Sequence, residues 1–272
     1  MYPVKANVEY FEETICPEYA LIQSRLNLLK VFLGYRQCYS EDTSIRDILK
    51  LTNDLDAASL SKLELDARTA DAYEAAQKFL LKMQSSSHQS PIEHVTMTFS
   101  IQNVSRAMTH QLVRHRLASY SQQSQRYVKF HHIATIVPSS IMNHENPEVY
   151  ERFVSLMEHV EETYRFFINN DVKAEDSRYI TPQAAASSIT TTMNLRALMH
   201  FFAERCCTRA QWEIRDVARQ MLSIAKRYYP VIFANAGPKC VQLGHCPEGE
   251  TFTCGAFSIR SDREVVDHGN DR

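Results

Sequence analysis

"HVTMTFSI", residues 94–101, alternates without a break. Val95, Met97, Phe99 and Ile101 fall on one side, Thr96, Thr98 and Ser100 on the other. That is the period-2 pattern of a strand with one face in a core. Asn103 then offers a cap for a helix that carries Val104, Ala107, Met108 and Leu112 on one face. A half-buried strand running into an amphipathic helix predicts an α+β fold, with mixed helices around a small sheet.

Working outward, residues 15–34 and 43–84 carry helix-like spacing, and the second span stops at the polar loop "QSSSHQSP". "RYVKFHHIATIVP", residues 126–138, reads as a second strand region. Asn146-Pro147 begins a long helix with Phe153, Leu156, Met157, Val160, Tyr164 and Phe167 as its apolar stripe. Residues 191–206 read as a further helix, and Thr208 with Gln211 as a capping box for one that runs to about Tyr229. Beyond Pro230 the chain becomes rich in glycine. The expected organisation is one catalytic α+β domain over 1–230 and an irregular tail over 231–272.

The formal net charge is −2, so no global field draws in nucleic acid, and anion binding must be local. No apolar run approaches the ~20 residues that span a bilayer, and "MYPVKANVEYFEET" has no apolar signal core. A cytoplasmic protein without membrane or nucleic-acid partners is expected, its seven cysteines reduced. With only six glycines, neither G-x-G-x-x-G nor the P-loop can be written. The doubly wound dinucleotide fold is therefore not expected, and ligand phosphates must be held by side chains and helix ends.

"VRHRLASYSQQSQRYV", residues 113–128, holds Arg114, Arg116 and Arg126 and no acid. Guanidinium forks match phosphate and carboxylate. Ser119, Ser121 and Ser124 add neutral groups, as do Gln122, Gln123 and Gln125. Such a set suits a ligand with phosphate and a hydrogen-bonding ring. On composition alone, a solvated basic turn is an equal reading.

The spacing separates the two. Arg114-His115-Arg116 followed by Ser124 resembles the signature of the flavin-dependent thymidylate synthases. "SHQSPIEHVTMTFSI" resembles the segment before that signature. "SRYITPQAAASSITTTMNLRALMHFFAERCCTRAQWEIRDVA" resembles the family's C-terminal core, and the likeness covers roughly residues 85–230. It implies conversion of dUMP to dTMP with methylenetetrahydrofolate as carbon donor, FAD as hydride carrier and NADPH as reductant. It also implies a non-Rossmann α+β fold and a homotetramer whose active sites are shared between subunits.

Residue by residue, the resemblance implies FAD contacts at Ser90, Arg114, His115, Arg116, Asn194 and Arg196. His200 stands where relatives have asparagine and Gln122 where many have glutamate; both are carried as FAD contacts. Around dUMP it implies Gln111, Arg114, Gln122, Ser124, Arg126, Arg178 and Arg205, with Gln123 and Gln125 as further backbone contacts. His88 and Tyr127 match residues near the flavin ring and the folate site. Uracil C5 is a poor nucleophile, and the always-charged Arg205 can stabilise the anionic ring that makes its attack easier, so Arg205 carries the catalytic assignment. Ser124 has no identifiable base and is assigned to binding.

Other readings stand beside these. Arg178 and Arg196 alone would be surface ion pairs. Trp212 and the aromatics near 228–233 fit packing, and Cys206 and Cys207 fit buried small hydrophobes. Cys240, His245, Cys246 and Cys254 form an optional zinc set, against free thiols in a glycine-rich tail. A nucleic-acid-binding module and a non-catalytic flavoprotein remain as rival functions.

Overall fold

The computed structural model describes residues 5–39, 62–83 and 88–259. The expected helix over 43–84 therefore lies partly outside the described residues. Within them, the element order begins with β1 (Asn7–Tyr10), α1 (Phe11–Ile15), α2 (Pro17–Tyr39) and α3 (Lys62–Met83). A 3₁₀ turn (Ser90–His94) leads into β2 (Thr96–Ser105), α4 (Arg106–Leu112) and β3 (Ser119–Gln122). Helices α5 (Ser139–Met142), α6 (Pro147–Asn169) and α7 (Ala174–Ser177) follow. β4 (Ala186–Asn194), α8 (Leu195–Arg205) and α9 (Trp212–Tyr228) complete the centre. After it come three short helices: α10 (Pro230–Phe233), α11 (Lys239–Leu243) and α12 (Gly249–Phe252).

The described strands form an antiparallel sheet in the order β1-β2-β4-β3. β2 holds the middle because its alternation is the cleanest: Met97, Phe99 and Ile101 are all fully buried. Helices α8 and α9 cover that face with Leu198, Phe201, Phe202, Val217 and Met221. Each such side chain contributes about 1.5–3 kcal/mol on burial. The helices surrounding a small sheet match the α+β expectation.

Four local expectations are corrected. Asn103 does not cap the helix. Between Ile101 and Val104, β2 carries residues 102 and 103, while β4 carries only Ser188, so β2 bulges by one residue. Asn103 takes the strained position there, with φ at 57°, a region asparagine tolerates better than most. The strand resumes through Ser105, whose hydroxyl accepts from the Met108 amide at 3.0 Å and is the actual cap.

The helix expected over 191–206 begins only at Leu195. Thr190, Thr191 and Thr192 belong to β4, where β-branched side chains fit the pleat. Asn194 ends that strand and caps α8, accepting from the Ala197 amide at 2.7 Å. The strand expected over 126–138 is irregular chain with one isolated bridge, Thr135 to Ala185. Ile133 from this segment instead fills a small apolar cluster with Tyr164 and Ala185.

The helix from Pro147 and its Asn146 cap appear as read. The next cap shifts: Gln211, not Thr208, caps α9, its side-chain oxygen accepting from the Glu213 and Ile214 amides. Beyond residue 230, Val231, Phe233 and Ala236 pack into the main core.

Candidate functional site

The segment after α4 is held in shape by its own tyrosine. The Tyr120 hydroxyl lies 2.8 Å from both the Leu112 and His115 carbonyl oxygens. It is half-buried, and burial pushes its pKa up to about 12, so it stays a neutral donor. The helix ends through amide bonds from Arg114 to Gln111 and from His115 to Leu112. Out of regular helix geometry, consecutive side chains need not splay to different faces.

Arg114, His115 and Arg116 line one cavity of about 1010 Å³. α8 supplies further lining, with Asn194 at its cap and Arg196, His200 and Arg205 along it. This brings together seven of the sequence-selected residues, drawn from segments some 80 positions apart. Arg114, Arg116, Arg196 and His200 are exposed, while His115 and Arg205 are partly buried.

At the centre of this wall, Arg205 Nε donates to His115 Nε2 at 2.9 Å. That geometry requires an imidazole with a free lone pair on Nε2. The electrostatics agree. Burial, then the Arg205 charge and His200, push the His115 pKa down to about 4. Phe201 packs edge-on to the imidazole at 4.9 Å. His115 is thus a neutral ring among cations, and it orients a guanidinium without adding charge.

Two carboxylates face the same cavity, each with a cation. Arg196 is paired with Glu93 of the 3₁₀ turn. Glu204 is paired with Lys239 of α11 at 2.7 Å. Sequence reading missed Glu93, Glu204, Lys239 and Gln242 as lining residues. Lys239 and Gln242 sit in the segment expected to be an irregular tail, and nothing in their local pattern marks them.

Other selected residues lie elsewhere in the chain. Ser90 and His88 flank the 3₁₀ turn and share a 2.9 Å hydrogen bond. Gln111 is on α4, half-buried. Gln122 donates to Thr109 Oγ1 at 2.9 Å and lies 3.3 Å from Ser187 Oγ, which ties β3 to its neighbours. Gln123 donates its amide to Ser188, and the Ser124 hydroxyl accepts from the Arg126 amide.

Arg126 and Tyr127 line a second depression of about 400 Å³, beside α7. Arg126 pairs there with Glu175 at 2.8 Å, and Arg178 Nε donates to the Glu175 carbonyl. Hydrogen bonding to Arg126 holds the Glu175 carboxyl below its ordinary range. Arg106, which sequence reading also missed, lies close enough to Arg178 that burial and that charge together lower its pKa. One chain therefore carries two basic surfaces, with seven of the sequence-selected residues lining the first and Arg126 and Tyr127 the second.

The optional zinc set does not assemble among the described residues. Cys240, Cys246 and Cys254 line a small cavity of about 290 Å³, but the fourth cysteine there is Cys207. His245 Nδ1 instead lies 3.0 Å from the Leu243 carbonyl oxygen. Among the described residues no three His, Cys, Asp or Glu side chains converge as a metal ion requires. Cys206 is buried, as read, with its thiol pushed up to about 11.

With this geometry in place, comparison with known proteins is informative. Residues 26–231 match the Thy1 model, described as thymidylate synthase complementing protein. The chain is 52% identical over 195 residues to a flavin-dependent thymidylate synthase of Nitratidesulfovibrio vulgaris, covering 67% of this chain and 77% of that protein. A flavin-dependent thymidylate synthase of Geobacter sulfurreducens is 50% identical over 179 residues, 65% of this chain and 75% of that protein. The Pyrococcus abyssi protein of the same description is 47% identical over 184 residues, with the same shares. The fold resembles the crystal structure of a UMP/dUMP methylase, PolB, from Streptomyces cacaoi bound with 5-Br dUMP. That match has a TM-score of 0.62 at 21% identity, and covers 85% of this chain and 94% of the other.

Proposed function

This chain belongs to the Thy1 family and is a flavin-dependent thymidylate synthase; we propose that the arginine-lined cavity is where its flavin and dUMP are bound. The observation that carries this reading is the convergence of Arg114, Arg116, Arg196 and Arg205 on one cavity. Phosphate and pyrophosphate are dianionic or polyanionic, and fixed guanidinium forks are the side chains suited to them.

The residues present fit a flavin dinucleotide. The cavity is large, its donors are guanidinium groups from two separate segments, and the Asn194 Nδ2 amide remains for a ligand while Oδ1 caps α8. Outside this cavity, Gln125 is buried and its Nε2 has no partner among the described residues. Such a donor costs about 1–3 kcal/mol unless something supplies an acceptor. When bound, FAD supplies hydride transfer, with NADPH as the reductant and methylenetetrahydrofolate as the source of the carbon.

The chain's own residues bind and polarise. Arg114, Arg116 and Arg196 hold phosphate charge, with Ser90 and His200 at the margin. Arg205 uses Nε on His115, and its Nη groups make no further hydrogen bond among the described residues. They are free to stabilise negative charge on the uracil ring, which raises the nucleophilicity of C5. His115 stays neutral at pH 7, so the charge aimed at the ring is the guanidinium's alone.

We assign Gln111, Gln122, Gln123, Ser124, Gln125, Arg126 and Arg178 to the dUMP site as well, Arg126 from the second basic surface, with His88 and Tyr127 toward folate. We infer that the two surfaces meet across subunits in a homotetramer. Two observations support that assembly. Arg205 lines one depression of the chain, while Arg126 and Tyr127 line another. Leu117 and Tyr179 are 81% and 83% exposed, large apolar side chains that a partner would cover.

The reading is tested on purified protein. It should carry a flavin absorption band that dUMP perturbs, and it should release tritium from dUMP labelled at C5 when folate and NADPH are present. Colour without release would indicate a flavoprotein that is no synthase. Loss of flavin binding in R114A and R196A, with folding intact, is the expected result of removing the anion-binding groups.

A further inference from the structure

The match to the Thy1 model ends at residue 231, yet one wall of the cavity comes from beyond it. α11 places Lys239 and Gln242 on the cavity, with Lys239 beside the end of α8. Helix α11 is stopped by Gly244 in the left-handed region, with φ at 71°. The chain after it is fastened by an ion pair between Arg209 and Glu248, and Arg209 lies 4.1 Å over the Phe252 ring.

Glu204 immediately precedes Arg205, and both side chains line the cavity. A carboxylate in a cavity that takes anionic ligands opposes their binding, because like charges close together in a low-dielectric site repel strongly. Lys239 Nζ sits 2.7 Å from Glu204 Oε1, and the two are partly shielded, with side-chain exposures of 44% and 35%. Among the described residues, Lys239 is the ion-pair partner of Glu204.

We propose that Lys239 is a positioning residue for this reaction: it neutralises Glu204, so that Arg205 and its neighbours present an unopposed positive surface to the nucleotide. The tail is then part of the active site. This rests on the reading of the cavity as the nucleotide site. Lys239 acts through Glu204, so its loss is repaired by removing the carboxylate.

The test is a charge cycle on the full chain, read by equilibrium binding of dUMP to flavin-loaded protein, by KM and kcat, and by melting temperature. K239A should weaken dUMP binding about tenfold, the value of ~1.4 kcal/mol, with KM affected more than kcat. The defect should shrink as salt is raised, because screening weakens the repulsion. K239A/E204Q should return to within about threefold of the wild type, and K239R should retain affinity. Wild-type affinity in K239A, or a defect equally large in K239A/E204Q, overturns the proposal; the second outcome assigns Lys239 to docking the tail. Wild-type protein that binds no dUMP overturns the reading of the cavity itself, a result separate from either.

Discussion

Arg205 and His115 act as a pair, each setting the state of the other. The Nε–H of one fills the lone pair of the other, which keeps the imidazole neutral and the guanidinium fixed. In R205A, the His115 pKa is expected to rise, because one of its depressing charges is gone. It should stay below its ordinary value, since burial is the larger cause. Titration of the imidazole by NMR measures both. The same shift sets a pH dependence. The unfolded imidazole takes up its proton near 6.5 and the folded one only near 4. Between these values the unfolded state holds more protons, so stability rises with pH. The contribution of His115 is complete above about pH 6.5 and is lost as the pH falls toward 4. Urea unfolding at pH 7.5 and 5, compared between wild type and H115F, should show it as a smaller loss in the variant. At this scale the sequence was informative about residue type and silent about protonation state. His115 stood in the right motif, but only its burial against Phe201 and its contact with Arg205 make it neutral.

The elements that carry the site are joined by a carboxylate that sequence reading did not single out. Glu213, in the first turn of α9, is 3% exposed. It accepts from the Ser105 amide at 2.6 Å and from the Ser105 hydroxyl at 2.5 Å. Burial pushes its pKa up, against the pull of these two bonds. Ser105 ends β2 and caps α4, so this one contact fixes the start of the helix that leads into Arg114. E213A leaves the Ser105 amide buried without an acceptor and is expected to cost about 2–3 kcal/mol, read as a lower urea midpoint. E213Q keeps one acceptor and should cost less. The helices were legible where spacing and caps agreed, as at Asn146-Pro147 and α9. β4 was not, because a Thr-rich run beside a strong helix has no apolar period of its own to set against it. The bulge at Asn103 was hidden for a related reason. An extra residue changes the pairing with β4, and pairing is not visible along one strand.

For the whole molecule, the proposed sharing of sites makes a sharp prediction. R126A and R205A, one on each basic surface, should each be inactive as purified homo-oligomers. Coexpressed in equal amounts and assembled at random, they should recover about a quarter of wild-type activity, because one site in four then draws both arginines from intact chains. Sites contained within a single subunit would recover nothing, since every chain carries one lesion. Light scattering on the wild type gives the subunit number that the argument assumes. No helix among the described residues is long and apolar enough to cross a membrane, in keeping with the absence of such a run in the sequence. By itself, the sequence determined the class of fold, through the alternation of β2, and the choice of anion-binding side chains, through the spacing of the arginines. Both are local: period and residue type are written along the chain. Only the tertiary structure decided which arginines share a cavity, that His115 is uncharged within it, and that the tail closes one wall through Lys239. Those depend on distances between segments far apart in the chain and on how much water their packing removes, and neither is encoded in any single stretch.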